Sequence, residues 1–264
     1  MSIAPLPASP APPPRRRLEV LGLPVDAIDL PTAVDRLIDW SHSRSPRVVC
    51  LCNVHGLVTA ETDAAYRQAL QSADLVLPDG APVAWLQRRL GAKGQRRVAG
   101  PDLMEATLDA AQARGVGVFL YGGTPATLQA LQLALSRRWP GLSVRGAISP
   151  AFGQAPEAAL DADLDTIAAS GAGLLWVALG CPRQERWMAA NAPRLPLTQV
   201  GVGAAFDFIA GTQPRAPRWM RALGLEWLHR LGCEPRRLLP RYLHTNTRFL
   251  WRAAGALLRP RSGP

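Results

Sequence analysis

Four short turns that follow apolar segments carry the residues best suited to chemistry in this chain. They are Asn53-Val54-His55, Pro78-Asp79-Gly80, Gly122-Gly123-Thr124 and Gly180-Cys181-Pro182-Arg183-Gln184-Glu185. Carboxylate and amide groups can accept or orient protons, and glycines before a helix let backbone N–H groups approach an anion. In an open α/β sheet the strands end along one edge, where ligands bind. The sequence therefore predicts one cleft lined by all four turns.

Asp79 is the strongest candidate for proton transfer. The apolar run Leu75-Val76-Leu77 predicts a buried strand, which Pro78 ends and after which Gly80 frees the backbone. A carboxylate at that point can take a proton from a hydroxyl group. The alternative is that Asp79 only caps the next helix or closes the turn, and spacing alone favours this structural role.

Several other patterns indicate chemistry only weakly. Gly201-x-Gly203-x-x-Phe206 lacks the third glycine of a dinucleotide fingerprint. Asp161-Ala162-Asp163 has the spacing of a metal-binding D-x-D motif, but its Ala-rich surroundings favour a solvated helix face. The four cysteines form no C-x-x-C pair, which disfavours a zinc site. Glu185 and Arg186 are expected at an exposed helix start. We therefore predict neither a metal nor an organic cofactor.

The elements that position these turns alternate along the chain. Apolar, β-rich segments are separated by helical stretches of about ten to fifteen residues, which is typical of βαβ units and a largely parallel sheet. With 264 residues, of which 48% are hydrophobic, the chain can bury one substantial core and carry a small appendage. The pattern predicts an α/β fold with a largely parallel sheet flanked by helices.

Composition divides the chain into three parts. Residues 1–17 are rich in Pro and Ala, which predicts a disordered lead. Residues 18–213 hold the alternating pattern of the predicted α/β core. Residues 214–264 have a helical pattern with eleven Arg, no Lys and two Glu, which gives +9 of the formal net charge of +10. This basic segment favours an anionic partner: lipid head groups, nucleic acid or an acidic protein.

The basic segment alternates Arg with Trp and Leu, as interfacial helices do. Because aromatic side chains also stack on single-stranded bases, the alternative function is a Rossmann-like module that binds nucleic acid. His244, Arg248 and Arg252 share one helix face. A second alternative is a basic helix that packs on the core without a role at a membrane. No segment approaches the about 20 apolar residues that cross a bilayer, and the N-terminal residues lack the apolar region of a signal peptide.

Several segments together resemble the WecG/TagA/CpsF glycosyltransferase family, in an order that covers residues 18–243. They are 53–55 (Asn-Val-His), 73–80 (Ala-Asp-Leu-Val-Leu-Pro-Asp-Gly), 97–103 (Arg-Val-Ala-Gly-Pro-Asp-Leu), 121–123 (Tyr-Gly-Gly), 180–185 (Gly-Cys-Pro-Arg-Gln-Glu), 213–217 (Gln-Pro-Arg-Ala-Pro) and 224–227 (Gly-Leu-Glu-Trp). The resemblance implies a Rossmann-like core with a membrane-binding appendage at residues 214–264.

It also implies an inverting glycosyltransferase of bacterial surface polysaccharide synthesis. The enzyme would move an N-acetylmannosamine-type sugar, a uronic acid or a hexose from a UDP-sugar to a polyprenyl-diphosphate-linked saccharide. It would need no metal and would lie peripherally at the cytoplasmic face of the inner membrane. The expected partners are therefore the UDP-sugar, the lipid-linked saccharide and an anionic membrane surface, without nucleic acid. Assembly into a homo-oligomer stays open.

The shared segments also suggest roles for individual residues. Asp79 resembles the catalytic base, and Arg97 resembles a residue that contacts the diphosphate. The candidate substrate-binding residues are Asn53, Arg97, Asp102, Gly122, Gly123, Gln184, Arg215 and Arg218. One departure is Leu51, which stands where many family members have Thr two residues before the Asn.

Overall fold

The computed structural model of the protein describes residues 15–150 and 161–258. The strands within these ranges are β1 (Arg17–Val20), β2 (Leu23–Asp26), β3 (Arg47–Cys52), β4 (Leu75–Pro78), β5 (Val118–Gly122), β6 (Val144–Ile148), β7 (Leu174–Ala178) and β8 (Thr198–Gly201). The α-helices are α1 (Leu30–Ser43), α2 (Val54–Thr62), α3 (Ala64–Ser72), α4 (Ala81–Arg89), α5 (Gly100–Arg114), α6 (Pro125–Arg138), α7 (Asp161–Ala169), α8 (Arg183–Asn191), α9 (Ala205–Ala210), α10 (Arg218–Ala222), α11 (Glu226–Cys233) and α12 (Pro235–Leu258).

Six of the strands form one sheet in the order β4-β3-β8-β7-β5-β6. Every pairing within this sheet is parallel, whereas β1 and β2 form a separate antiparallel hairpin. Because parallel strands need crossovers, the helices lie between successive strands and cover both faces of the sheet. The predicted α/β fold with a parallel sheet is confirmed, and it is consistent with a Rossmann-like architecture.

Two apolar clusters fill the space between the sheet and its helices. One contains Cys50 and Cys52, which lie fully buried as free thiols on one side of β3. The other cluster, on the opposite face, contains Leu51 and Trp176. Alternate residues of β3 thus face opposite clusters, as the period of a strand buried on both sides requires.

The described chain begins just before the first strand. The Arg15 guanidinium pairs with Asp26, with Nε and Oδ1 2.6 Å apart, and Arg16 Nη2 donates to the Gly91 carbonyl at 3.0 Å. Since β1 begins at Arg17, the boundary predicted after residue 17 falls inside this strand. The other residues of the predicted lead, 1–14, lie outside the described residues.

After α9 the chain is helical, as predicted for the C-terminal appendage. Phe249 and Ala253 of α12 are buried in the core cluster that contains Cys50. Arg248 and Arg252 both pair with Glu61 of α2, at 3.3 and 2.9 Å. This basic face of α12 therefore lies against the core. Among residues 15–150 and 161–258, no helix combines the length and apolarity that crossing a bilayer would require.

Candidate active site

Asp79 and Asn53 lie side by side at the ends of two adjacent strands. Cys52 of β3 pairs with Pro78 of β4, and the Asp79 amide donates to the Cys52 carbonyl at 2.9 Å. Asn53 Nδ2 donates to Asp79 Oδ2 at 3.4 Å, while Asn53 Oδ1 accepts from the Gly56 amide at 3.1 Å. The second bond, which caps α2, orients the Asn53 amide so that its donor faces the carboxylate.

The structure rules out the helix-capping role that spacing favoured for Asp79. The N-cap of α4 is Gly80, with φ of 93°, and no side chain of the described residues caps this helix. Burial raises the pKa of Asp79 to about 6. The charge of Glu226 acts in the same direction, whereas the Asn53 hydrogen bond, Arg97 and Arg230 lower this pKa. A base with a pKa close to the working pH is effective in taking up a proton, so the environment suits Asp79 for that task.

Arg97 reaches the Asp79 turn because its own segment is tied to β4. The Val98 amide donates to the Pro78 carbonyl at 2.8 Å. Arg97 Nη1 donates to Glu226 Oε2 at 2.7 Å. Both side chains of this ion pair are mostly buried. The core loop and α11 of the appendage thus meet beside the predicted base.

The appendage is joined to the core by a second set of ion pairs. Arg215 Nη2 donates to Asp102 Oδ1 at 2.6 Å, and Arg221 Nη1 lies 3.4 Å from the same oxygen. Arg215 Nε lies 3.7 Å from Glu226 Oε1. A side chain at Gly224 would place its Cβ 2.6 Å from the Cβ of Ala81, the first residue of α4. The segment from Arg215 to Glu226 therefore closes against the Asp79 turn.

Gly122 and Gly123 lie at the end of β5, farther along the same edge. A Cβ at Gly122, whose φ is 112°, would lie 2.4 Å from the Ala178 carbonyl oxygen of β7. The Gly123 amide donates to that same oxygen at 3.0 Å, and Thr124 caps α6. Gly122 therefore permits the close approach of two strand ends, and binding of an anion there stays a prediction.

Gln184 and Glu185 open α8 beneath the end of β8. Gln184 Nε2 donates to Glu185 Oε1 at 2.9 Å, and both residues are buried. The expected exposed helix start is wrong for Glu185, because α8 packs against the sheet and turns this residue inward. The available signal was periodicity: Glu185 lies three positions before the buried Met188, on the inner face of the helix.

The other sequence-predicted residues lie away from the Asp79 turn or have other partners. Arg218 is exposed at the first residue of α10. Asp161 pairs with Arg194, and Asp163 Oδ2 accepts from the Tyr121 hydroxyl at 3.2 Å. Within the described ranges no group of three or more His, Cys, Asp and Glu side chains is arranged to hold a metal ion.

The structure thus groups the predicted residues in two regions along the strand ends. Asn53, Asp79, Arg97, Asp102 and Arg215 lie near β3, β4 and the appendage, while the glycines and Gln184 lie toward β5, β7 and β8. Sequence reasoning missed Glu226, which contacts both Arg97 and Arg215. Its only signal was its place in the segment Gly-Leu-Glu-Trp at residues 224–227.

Comparison with known families shows the family to which this chain belongs. The model of the family described as "Glycosyl transferase WecG/TagA/CpsF family" matches residues 18–263. The match spans the parallel sheet, the Asp79 turn and nearly all of the appendage. The chain therefore belongs to the WecG/TagA/CpsF family and is a glycosyltransferase.

Proposed function

We propose that this glycosyltransferase moves a sugar from a UDP-sugar to a polyprenyl-diphosphate-linked saccharide, with inversion, in bacterial surface polysaccharide synthesis. The sugar is of the N-acetylmannosamine type, a uronic acid or a hexose. The observation that carries the proposal is the Asp79 carboxylate, bonded to Asn53 at a strand end with Arg97 beside the same turn. The family supports the reaction class, and the site supports the mechanism.

In this mechanism Asp79 acts as the general base. An acceptor hydroxyl gives its proton to the Asp79 carboxylate while its oxygen bonds to the anomeric carbon of the donor sugar. The bond between that carbon and the diphosphate oxygen breaks, and UDP leaves with the electron pair. A single displacement of this kind inverts the configuration. With a pKa of about 6, Asp79 is mostly ionised at pH 7 and more basic than an ordinary carboxylate.

The leaving diphosphate requires positive charge in the absence of a metal. Arg97 and Arg215 lie on the two sides of Glu226, close to the Asp79 turn. A guanidinium has five N–H donors, so each arginine can keep its carboxylate and still donate to a phosphate oxygen. We assign these two arginines to the diphosphate, with Asn53 and Gln184 as further substrate-binding residues.

The appendage is proposed to dock on an anionic membrane surface that presents the lipid-linked acceptor. Ten of the eleven large, exposed hydrophobic side chains among the described residues lie in the appendage. On α12 they include Leu243, Leu250, Trp251 and Leu258, whereas Arg248 and Arg252 face Glu61. Apolar side chains on a basic segment suit an interface with anionic lipid.

The proposed reaction is tested with purified protein, a panel of UDP-sugars and a short-chain lipid diphosphate saccharide as acceptor. We expect UDP release and an elongated acceptor with one member of the panel. Release of UDP without elongation, or elongation with retained configuration, would contradict the mechanism. If the protein shifts single-stranded DNA or RNA at low salt and elongates no acceptor, the nucleic-acid alternative is favoured.

A further inference from the structure

The buried pair Gln184 and Glu185 carries two oxygens for which the proposed mechanism names no hydrogen-bond partner. Glu185 is fully buried and Gln184 is 4% exposed. One oxygen of Glu185 accepts from Gln184, but Gln184 Oε1 and Glu185 Oε2 are buried without a hydrogen-bond partner among the described residues. Buried polar atoms normally have partners, so each such atom requires an explanation.

The bond between the two side chains determines which way the Gln184 amide faces. An ionised carboxylate only accepts hydrogen bonds, and a carboxyl with its proton on Oε2 still accepts at Oε1. The Gln184 atom 2.9 Å from Glu185 Oε1 is therefore the N–H donor when Glu185 is ionised and when its proton is on Oε2. Gln184 Oε1 is consequently left as an acceptor for another group.

That acceptor lies at the strand-end edge of the sheet. A Cβ at Gly203 would lie 3.5 Å from Gln184 Oε1, and a Cβ at Gly201 would lie 3.0 Å from Gln184 Nε2. The glycines let the Gln184 amide approach the end of β8, which is flanked by β3 and β7. The unpartnered Gln184 oxygen therefore lies in the middle of the row of strand ends.

The surroundings of Glu185 make its buried carboxylate energetically unfavourable. Burial raises the pKa values of Cys50 and Cys52 of β3, Tyr66 of α3 and Cys181, and the charge of Glu185 is among the further causes that raise all four. Burial also raises the pKa of Glu185 to about 7. A glutamine would fill the same volume without this cost, so packing alone does not explain the residue.

We propose that Glu185 is a positioning residue, which holds the Gln184 amide so that Gln184 Oε1 accepts a hydrogen bond from the sugar nucleotide. The donor is an N–H or O–H group, either of the nucleotide or of the sugar to be transferred. This inference rests on the proposed function, because it concerns how the same cleft holds its donor substrate.

Glu185→Gln tests the proposal in the full-length protein. The amide it introduces can donate as well as accept, so the Gln184 amide is no longer held in one orientation. Dissociation constants are measured by calorimetry with UDP and with UDP-N-acetylglucosamine. We expect about a tenfold weaker Kd for at least one of them, with an unchanged or higher melting temperature. The matched control is Thr198→Val, which removes a buried hydroxyl that has no partner in the described part of the chain, at the opposite end of β8, and should leave both constants unchanged.

The two ligands distinguish the sources of the hydrogen-bond donor. Weaker binding of both assigns the donor to the nucleotide, and weaker binding of UDP-N-acetylglucosamine alone assigns it to the sugar. In a Gln184→Met background, Glu185→Gln should add no further loss, because it acts through that amide. Wild-type constants in the Glu185→Gln variant, or losses that simply add, would overturn the proposal.

Two further results are interpretable. If Glu185→Gln lowers the melting temperature by more than about 5 °C, Glu185→Asp, which withdraws the carboxylate from the Gln184 amide, replaces it, and wild-type Kd values in that variant overturn the proposal. If the wild-type protein binds neither UDP nor UDP-N-acetylglucosamine, the proposed UDP-sugar function itself is contradicted, and this inference fails with it.

Discussion

Arg97 and Glu226, which are 129 positions apart in the chain, form an ion pair with Nη1 and Oε2 2.7 Å apart. Both side chains are mostly buried, and Glu226 belongs to α11 of the appendage. The same carboxylate raises the pKa of Asp79, after burial, while Arg97 lowers it. The pair therefore links the closure of the appendage to the charge state of the predicted base.

Glu226→Gln should shift the pH dependence of the reaction. Removing this negative charge removes one cause that raises the pKa of Asp79, so the acidic limb of kcat/KM should move from about pH 6 to lower pH. The measurement is a profile of kcat/KM from roughly pH 4.5 to roughly pH 8, a range that lies on both sides of the Asp79 pKa. Glu105→Gln, which breaks the surface pair with Arg138, is the control that should leave the profile unchanged. A limb that moves upward would show that Glu226 does not act on Asp79 in this way.

Asp79→Asn should lower turnover by roughly 10²–10⁴-fold, since it removes the general base while keeping the size of the side chain. Burial raises the pKa of Asp79 in the folded protein, so ionisation destabilises the fold as the pH rises from about 4 to about 6. The variant should therefore melt at the same temperature as wild type in acid and slightly higher at pH 7. Turnover close to the wild-type value, with intact melting, would remove Asp79 from the mechanism.

Activity should survive EDTA, because arginines are assigned to the diphosphate. Arg97→Ala should raise the Kd for UDP by about tenfold or more, since it removes a guanidinium and leaves the Glu226 carboxylate with only the more distant Arg215 among the described residues. Arg44→Ala, at the C-cap of α1, is the control and should bind UDP as wild type does. Loss of activity in EDTA that manganese or magnesium restores would contradict the assignment. It would favour a metal site at Asp161 and Asp163.

The membrane role is tested by point variants. Phe249 and Ala253 of α12 complete the core, so removal of the whole appendage would also damage the fold. We expect Leu250→Ser combined with Trp251→Ser to weaken flotation with anionic liposomes, because both side chains are exposed. Leu133→Ser, at an exposed position on α6 of the core, should float like wild type.

Salt provides an independent check on the same docking surface. Because arginines contribute through charge, binding of the wild-type protein should weaken as ionic strength rises. A protein that ignores anionic liposomes at low salt, or a double variant that floats as well as the Leu133→Ser control, would exclude docking through the outer face of α12.

The α/β fold and the row of strand-end turns could be predicted because both depend on local patterns. A short apolar strand ended by Pro78, and a helix that begins shortly after Asp79, are encoded within a few residues of sequence. Once the strands are parallel, their carboxyl ends must meet at one edge, so Asn53 and Asp79 had to lie on the same edge. That they are neighbours there depends on the pairing of β3 with β4, which the tertiary structure decided.

The sequence by itself therefore determined the fold class, the basic helical appendage and the position of the candidate base. Only the tertiary structure decided that Asp79 does not cap α4, that Glu185 is buried beside Gln184, and that Arg248 faces Glu61 while Trp251 faces outward. The physical reason is the range of the interactions. Helix and strand periodicity acts over neighbouring residues, whereas burial and ion pairing depend on which distant segments fold against each other.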